Sequence, residues 1–422
     1  MKRLRMINTI MSVLAALGVC APTRLGRTLP DAWEAWADGD IATAHARASE
    51  QLAAGQSPDA ANHMLFLCEF VSGKYRVALD RLDRISADYP DRDALVELAL
   101  DAYVHLNRFD GALAFARSTE SLPDTYRELA ARHAARPLSV ELSDVTVAPF
   151  AAHDLMEYFP GFDTEINGVK LTAHVDTGGS FLIMGPDRAK ALGIETIAGE
   201  MSAAHLNLTK MRLSHGIADR FVLGDAVLTN VPVTVLPTLT GDNDWVIFGT
   251  CILERFLATL DYPSKRLILS PRNDAAARAA HIAMLPQEHT RIPFLLWGDH
   301  FMFARGSFGP NMDLNFFVDS GLVIIQPGND GQPRQAAFTT SPRKLRSSGV
   351  DPGLVKREFF ESPFPIRLGP LEQAGHYIVT GTVGDGEFGG IRVDGLLSHA
   401  FLKRYAWTMD FDAMEYRFGE SR

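Results

Sequence analysis

Two acidic triplets of the type Asp-(Thr/Ser)-Gly, beginning at Asp176 and at Asp319, hold the residues best suited to chemistry. Each follows a run in which apolar and polar residues alternate, 169–175 before the first triplet and 312–318 before the second. This pattern predicts a β-strand with a carboxylate at its end. Two carboxyl groups held about 3 Å apart cannot both ionise, so they share a proton, and one acts as base while the other acts as acid. Such a pair could activate a water molecule for attack on a carbonyl carbon.

The sequence around the triplets is duplicated. Segment 246–262 aligns without a gap on segment 395–411, and both favour a buried strand, a short helix and a closing strand. Between each triplet and its closing segment, 221–225 and 365–370 match as a strand that ends in a glycine turn. Three elements recur in the same order, which predicts two β lobes that each deliver one carboxylate.

On these residues, the region from about 162 to 418 resembles the aspartic protease family, in particular the retropepsin-like proteases of bacteria. In that family each of two lobes supplies one aspartate, and the lobes meet about a pseudo-two-fold axis. The resemblance implies that Asp176 and Asp319 are catalytic, that no cofactor or metal takes part, and that a peptide or protein substrate binds in the cleft between the lobes. The residues that it implies as support for the two acidic loops are Thr177, Gly178, Ser180, Ser320 and Gly321.

Two departures from the duplication raise an alternative. Leu322 and Val323 follow the second triplet where Gly179 and Ser180 follow the first, and Ser398 stands where Gly249 is expected. Side chains near Asp319 would disfavour its charged form, so we expect Asp319 to carry the shared proton and Asp176 to be ionised. An inactive double lobe that binds peptides or serves as a scaffold is a second hypothesis. A third is an adaptor whose β lobes are merely structural.

Segment 29–136 is predicted to be helical, with a period of 34 residues. Large apolar residues recur at this spacing, small alanines follow three residues later, and Gly or Asn precedes each large residue by two positions. In order of these classes, the residues are Ile41, Tyr75 and Phe109; Ala44, Ala78 and Ala112; Gly39, Gly73 and Asn107. The segment resembles tetratricopeptide repeats, which implies a surface for a protein partner. An irregular helical bundle and an autoinhibitory segment are the alternatives.

Composition excludes several classes of function. Asp and Glu number 51 against 41 Lys and Arg, a formal net charge of −10, and no dense basic run offers a face for nucleic acid. The 3 cysteines and 13 histidines form neither a CxxC pair nor a metal-binding motif, so we expect no metal and no cofactor.

The N-terminus has the pattern of a secretory signal, with basic residues, an apolar run at 10–21 and small residues after it. The run is too short to span a membrane, and a lipoprotein anchored at Cys20 is the alternative to a free periplasmic protein. The expected fold class is multidomain α + β, a tetratricopeptide-like helical domain before an all-β, double-lobed aspartic protease fold. The predicted segments are a signal peptide at 1–27, helical repeats at 29–136, a first lobe at 137–275 and a second lobe at 285–422.

Overall fold

The computed structural model describes residues 28–153, 156–204, 209–328, 330–381 and 387–420. The predicted signal peptide, with Cys20, lies outside the described residues. No helix in the described part of the chain is long and apolar enough to cross a membrane.

The described part of the N-terminal region, from residue 28 onward, forms seven α-helices. They are α1 (Pro30–Ala37), α2 (Ile41–Ala53), α3 (Pro58–Val71), α4 (Tyr75–Leu82), α5 (Val96–His105), α6 (Phe109–Ser118) and α7 (Asp124–Ala135). The large apolar residues spaced by 34 are the first residues of α2, α4 and α6. The predicted helical character is confirmed, and membership of the tetratricopeptide family stays a prediction.

The turns before α2, α4 and α6 use left-handed backbone. Gly39 has φ +73°, Gly73 has φ +72° and Asn107 has φ +54°, a region that Gly adopts without strain and Asn tolerates better than most residues. The alanine at the fourth position of each of these helices is buried, which lets neighbouring helices approach closely.

The first lobe is mostly β-structure. Its elements are β1 (Ser139–Glu141), β2 (Thr146–Pro149), β3 (Gly161–Ile166), β4 (Val169–Val175), β5 (Leu182–Met184), α8 (Pro186–Ala191), β6 (Thr196–Ala204), β7 (Thr209–Leu223), β8 (Ala226–Val235), β9 (Ile247–Phe248), α9 (Thr250–Leu253), β10 (Phe256–Asp261) and β11 (Arg266–Pro271). Eight of these strands make one sheet in the order β1-β8-β5-β9-β4-β3-β7-β6. Helix α10 (Ala275–Ala283) connects the lobes.

The second lobe repeats this plan with shorter strands. Its elements are β12 (His289–Trp297), β13 (Phe301–Phe308), β14 (Asn311–Val318), β15 (Ile325–Pro327), β16 (Pro333–Thr340), α11 (Pro342–Ser347), α12 (Pro352–Val355), β17 (Phe359–Glu361), β18 (Ile366–Leu368), β19 (Leu371–Gln373), β20 (Tyr377–Thr380), β21 (Glu387–Phe388), β22 (Ile391–Arg392), β23 (Gly395–Leu397), α13 (His399–Leu402), β24 (Tyr405–Asp410) and β25 (Glu415–Glu420).

The lobes are joined by six antiparallel strands in the order β12-β25-β24-β10-β11-β2, which form one part of a 15-stranded sheet that continues into the second lobe. At its centre Thr259 of β10 pairs with Thr408 of β24, and their Oγ1 atoms lie 2.6 Å apart. These threonines are equivalent in the sequence duplication, being 149 residues apart. Residues on either side also pair symmetrically, so a pseudo-two-fold axis runs between the two threonines. The predicted class, a helical region followed by a double-lobed protease-like β fold, is confirmed.

The helical region and the second lobe share one hydrophobic core. Trp36 of α1 and Phe70 of α3 contact Trp297 of β12, with ring centroids 6.0 and 6.3 Å apart. Phe301 and Leu322 of the second lobe belong to the same cluster. The helices are therefore packed against the second lobe through buried side chains.

Candidate active site

The two acidic residues lie at equivalent strand ends. Asp176 follows β4, which pairs in parallel with β9, and Asp319 follows β14, which pairs in parallel with β23. The amide of Asp176 donates to Phe248 O at 3.0 Å, and that of Asp319 donates to Leu397 O at 2.9 Å. Each closing strand of the duplication thus fixes one acidic loop.

Hydroxyl groups lock the two loops together across the lobe interface. The amide of Thr177 donates to Ser320 Oγ at 3.0 Å, and the amide of Ser320 donates to Thr177 Oγ1 at 3.0 Å. Thr177 Oγ1 in turn donates to Val318 O at 3.2 Å. Because each hydroxyl accepts from the opposite lobe, neither acidic loop can shift without the other.

The two carboxyl groups are brought together and enclosed. Asp176 and Asp319 are both 0% exposed, and a side-chain hydrogen bond joins them. The amide of Gly178 donates to Asp176 Oδ1 at 2.7 Å, and the amide of Gly321 donates to Asp319 Oδ1 at 2.9 Å. Asp176 Oδ2 is buried and has no hydrogen-bond partner among the described residues.

The surroundings make the two acids unequal. Burial, the charge of Asp176 and the shared hydrogen bond together hold the pKa of Asp319 well above its ordinary value. Burial also raises the pKa of Asp176, but the Gly178 amide, the hydrogen bond with Asp319 and the nearby His300 all favour its charged form. We therefore place the shared proton on Asp319 and the negative charge on Asp176.

His300, which we did not single out from the sequence, is a further group beside the pair. It lies in the turn between β12 and β13, is 1% exposed, and its Nδ1 pairs with the carboxylate of Asp299. Its Nε2 is buried with no hydrogen-bond partner in the described part of the chain. No local motif marks this histidine, because only the packing of the second-lobe turn against the first lobe brings it close to Asp176.

Gly321 is required at its position by close packing against the opposite acid. A Cβ built on Gly321 would lie 2.0 Å from Asp176 Cγ. We therefore expect Gly321→Ala to displace Asp176 and to lower kcat by about a hundredfold or more in a peptide-cleavage assay, since misplacing a catalytic group by 1 Å has effects of this size.

Gly179→Ala is the matched control for this prediction. The one close contact of the new Cβ would be Ile183 Cδ1 at 2.8 Å, the flexible end of a side chain that can move aside, while Asp176 O at 3.5 Å is at an ordinary van der Waals distance. Equal losses of activity in the two variants would contradict the proposed role of the Gly321 contact.

Gly249 and Ser398 occupy equivalent positions, yet only the first must be glycine. A Cβ on Gly249 would lie 2.0 Å from Gly179 O. Helices α8 and α11 are equivalent and begin at Pro186 and Pro342, which are 156 residues apart. The two acidic triplets are only 143 residues apart. The chain between triplet and helix is therefore longer in the second lobe. The 13 extra residues reroute the backbone and make room for a side chain.

Ser398 uses that room to stabilise the second lobe. Its Oγ donates to Ala336 O at 2.5 Å and accepts from the Ala400 amide at 3.1 Å, which caps α13. These contacts give no support to the expectation that Ser398 desolvates Asp319. Leu322, the other departure, packs in the core shared with the helices, while its backbone hydrogen bond to Asp319 favours the charged carboxylate.

We expect Ser398→Ala to lower the free energy of unfolding by about 1–3 kcal/mol, because the helix loses its cap and Ala336 O loses a partner. The kcat should stay unchanged, and denaturant unfolding with a parallel activity assay checks both values. Ser347→Ala, an exposed serine in α11, is the control and should leave stability within about 0.5 kcal/mol. A loss of activity at unchanged stability would contradict this assignment.

Ser180 contributes through its backbone. Its carbonyl accepts from the Cys251 amide at 3.0 Å, and its Oγ makes no hydrogen bond within the described part of the chain. The support that the resemblance implies for Ser180 therefore comes from its backbone in this structure.

Residues 162–251 match the family model described as aspartyl protease. Similar solved structures include a retropepsin-like aspartic protease from Rickettsia conorii, with 20% identity, 32% of this chain and 95% of that chain covered, and a TM-score of 0.23. An aspartic proteinase from Irpex lacteus has 11% identity, with 66% of this chain and 97% of that chain covered, and a TM-score of 0.37.

The comparison with curated proteins gives no match. The family match contains the first acidic triplet and the Gly249 strand, two of the motifs on which the sequence resemblance depended. The resemblance predicted from the sequence is therefore confirmed: segment 162–251, which carries most of the first lobe, matches the aspartyl protease family.

Proposed function

We propose that the protein is an aspartic endopeptidase that hydrolyses peptide bonds with Asp176 and Asp319 as its catalytic pair. One observation carries this proposal: two buried carboxyl groups, one from each lobe, are hydrogen-bonded to each other at the pseudo-two-fold axis. Thr177, Gly178, Ser320 and Gly321 hold the pair through the contacts described above. Ser180 supports the first loop through its carbonyl.

In the first step the ionised Asp176 takes a proton from water while the water oxygen bonds to the carbonyl carbon. Its unpartnered Oδ2 is a free acceptor for that water. The protonated Asp319 gives its proton to the carbonyl oxygen, and a neutral tetrahedral diol forms.

In the second step the C–N bond breaks. Asp176 passes its proton to the departing nitrogen, and the diol returns one proton to Asp319 as the new carboxyl group forms. Both acids regain their starting protonation, and no bond forms between enzyme and substrate.

An inactive peptide-binding or scaffold protein is the second candidate. It is favoured by the complete burial of Asp176 and Asp319, because substrate reaches them only if the closed cleft opens. The helical repeats would then bind the partner.

A mixed peptide library incubated with the purified mature chain across pH, with and without pepstatin, tests the proposal. We expect internal cleavage that pepstatin blocks and, in H₂¹⁸O, one ¹⁸O atom in each new carboxyl terminus. No cleavage at any pH, combined with peptide binding, would overturn the enzyme proposal in favour of the peptide-binding protein.

We also propose that the chain is exported to a bacterial periplasm, with cleavage after the signal segment 1–27. The basic start and the short apolar run support this. Cell fractionation with N-terminal sequencing tests it, and a lipid on Cys20 would favour the anchored alternative. The division into repeats (29–136), first lobe (137–275) and second lobe (285–422) is part of the same proposal.

A further inference from the structure

A cavity of about 210 Å³ lies between helices α5–α7 and the first lobe. On the lobe side it is lined by Ser180 and Phe181, which are four and five residues beyond Asp176, and by Leu213 of the β6/β7 hairpin. One extended residue spans about 3.3–3.6 Å, so a peptide bound across the acidic pair could place one of its side chains in this cavity.

The polar part of the lining is acidic. Glu97 and Asp101 of α5 and Asp299 of the β12/β13 turn contribute three carboxyl groups, and no Lys or Arg lines the cavity. His133 and His215 are also present, but burial lowers the pKa of His133 to about 4 and lowers that of His215 as well. Both imidazoles are therefore neutral at pH 7. Asp299 already pairs with the neighbouring His300, and the Tyr126 hydroxyl donates to Glu97 at 3.3 Å, but no cation among the described residues pairs with Glu97 or Asp101.

Asp101 has no compensating group. It makes no hydrogen bond or ion pair with any described residue, and its carboxylate approaches the turn, 3.8 Å from a Cβ built on Gly298. Burial and the charges of Asp299 and Glu97 hold the pKa of Asp101 well above its ordinary value. Desolvation and the two neighbouring carboxylates oppose the charge of this partly exposed carboxyl group, so an approaching cation would stabilise it as an anion.

The remaining wall is apolar. It includes Leu100, Val104, Phe109, Leu129, Phe181 and Leu213. Lysine and arginine bury an aliphatic stem along apolar surface and place a cationic head against carboxylates. The apolar wall, together with Asp101 and Glu97, which pair with no cation in the described part of the chain, is thus complementary to such a side chain.

We propose that this cavity is a specificity pocket for a lysine or arginine side chain of the substrate. The inference rests on the proposed endopeptidase function and goes beyond it, since it assigns substrate selection to the helical region. Most of the acidic lining comes from α5, so the helices would form part of the substrate site in addition to any surface they offer to a partner.

The test measures peptide binding to the full mature chain carrying Asp176→Asn, which leaves the peptide uncleaved. The probes are fluorescein-labelled decapeptides of Ala, Leu, Phe and Ser, with one lysine placed at each position in turn, and the same set with norleucine. We expect lysine at one position to bind about tenfold more tightly than norleucine, as a buried charge pair would require.

Adding Glu97→Gln and Asp101→Asn should reduce this preference to less than about twofold while leaving the affinity for norleucine peptides unchanged. Asp110→Asn, an exposed residue of α6, is the matched control and should keep the preference. If the double substitution unfolds the chain, the binding test uses Asp101→Asn alone. Asparagine preserves the shape of the side chain, and the loss of an uncompensated acid should raise the thermal midpoint.

The proposed pocket is wrong if lysine is preferred at no position of the peptide. It is also wrong if the preference survives Glu97→Gln with Asp101→Asn in a folded protein. Cleavage by the unsubstituted protein without any lysine preference overturns the pocket alone. Lysine-selective binding without any cleavage by the unsubstituted protein supports the pocket and overturns the endopeptidase.

Discussion

Asp176→Asn and Asp319→Asn, made separately, are each expected to lower kcat for peptide cleavage by about 10²–10⁴-fold or more, the usual contribution of a positioned acid or base. Asparagine keeps the planar shape of the side chain but can neither take a proton from water nor give one to the carbonyl. Since each lobe supplies one member of the pair, either change alone suffices. Initial rates on a fluorogenic peptide measure the loss, and Asp163→Asn, an exposed residue of β3, is the control.

The same variants test the electrostatics of the pair. A raised pKa means that the folded state resists ionisation, so the stability contributed by the neutral acid is present at low pH and is lost as pH rises through the folded-state pKa. Burial raises both pKa values, and Asp319 more than Asp176. Asparagine stays neutral throughout. The thermal midpoint of Asp319→Asn relative to the unsubstituted protein should therefore increase between pH 4 and pH 7.

Two outcomes would contradict this account. Near-normal turnover by Asp319→Asn would rule out a single-chain pair, and a homodimer that joins two first lobes would become preferable. If the thermal midpoint of Asp319→Asn relative to the unsubstituted protein falls as pH rises, Asp319 is ionised in the folded protein, contrary to the assignment of the proton.

Much of the fold could be predicted because it depends on local rules or on repetition. Asn167-Gly168 turns the hairpin between β3 and β4 with φ values of +50° and +82°, the conformation expected for that dipeptide. The duplication spaced by 149 residues gave the equivalence of Thr259 and Thr408, which the structure places on the pseudo-two-fold axis. Strand alternation before each triplet likewise predicted where the carboxylates would lie.

The missed features depend on contacts between distant segments. The sequence did not reveal that helices α8 and α11 are equivalent, because 13 extra residues in the second lobe place α11 farther from its triplet than α8 is from the first. Because the backbone follows a different path there, Ser398 caps a helix. Comparing it with Gly249 at the equivalent sequence position wrongly suggests that the second lobe is impaired. His300 has no pattern around it, so only the folded turn reveals its position beside Asp176.

The relation of the helices to the lobes is likewise a tertiary property. The sequence predicted a distinct helical domain at 29–136, and a repeat domain with its own period would be expected to fold without the lobes. In the structure, however, His105 at the end of α5 has Nδ1 2.8 Å from Glu254 Oε2 and Nε2 2.9 Å from Gly298 O. One buried imidazole thus links the helical region to both lobes.

Removal of residues 29–136 is therefore expected to leave a β region that does not fold in soluble form. The deletion uncovers Trp297, Phe301 and other apolar side chains of the shared core, each stabilised by about 1.5–3 kcal/mol on burial, and several such losses approach a typical total stability of about 5–15 kcal/mol. It also leaves Glu254, whose pKa is held at about 2 with help from His105, without that partner. Soluble yield, near-ultraviolet circular dichroism and cleavage activity of residues 137–422, beside the full mature chain, measure the effect.

Co-expression of residues 28–136 as a separate chain is the control for this deletion, because it restores the core without the covalent link. We expect it to recover soluble, folded protein, since the interface is built from preformed apolar faces. A soluble 137–422 fragment with a cooperative unfolding transition would instead show that the lobes hold their own core. If that fragment also cleaved every peptide faster than the intact chain, the helices would be inhibitory. If it cleaved at the normal rate but without a preference for lysine, the result would agree with the helices forming a wall of the substrate pocket.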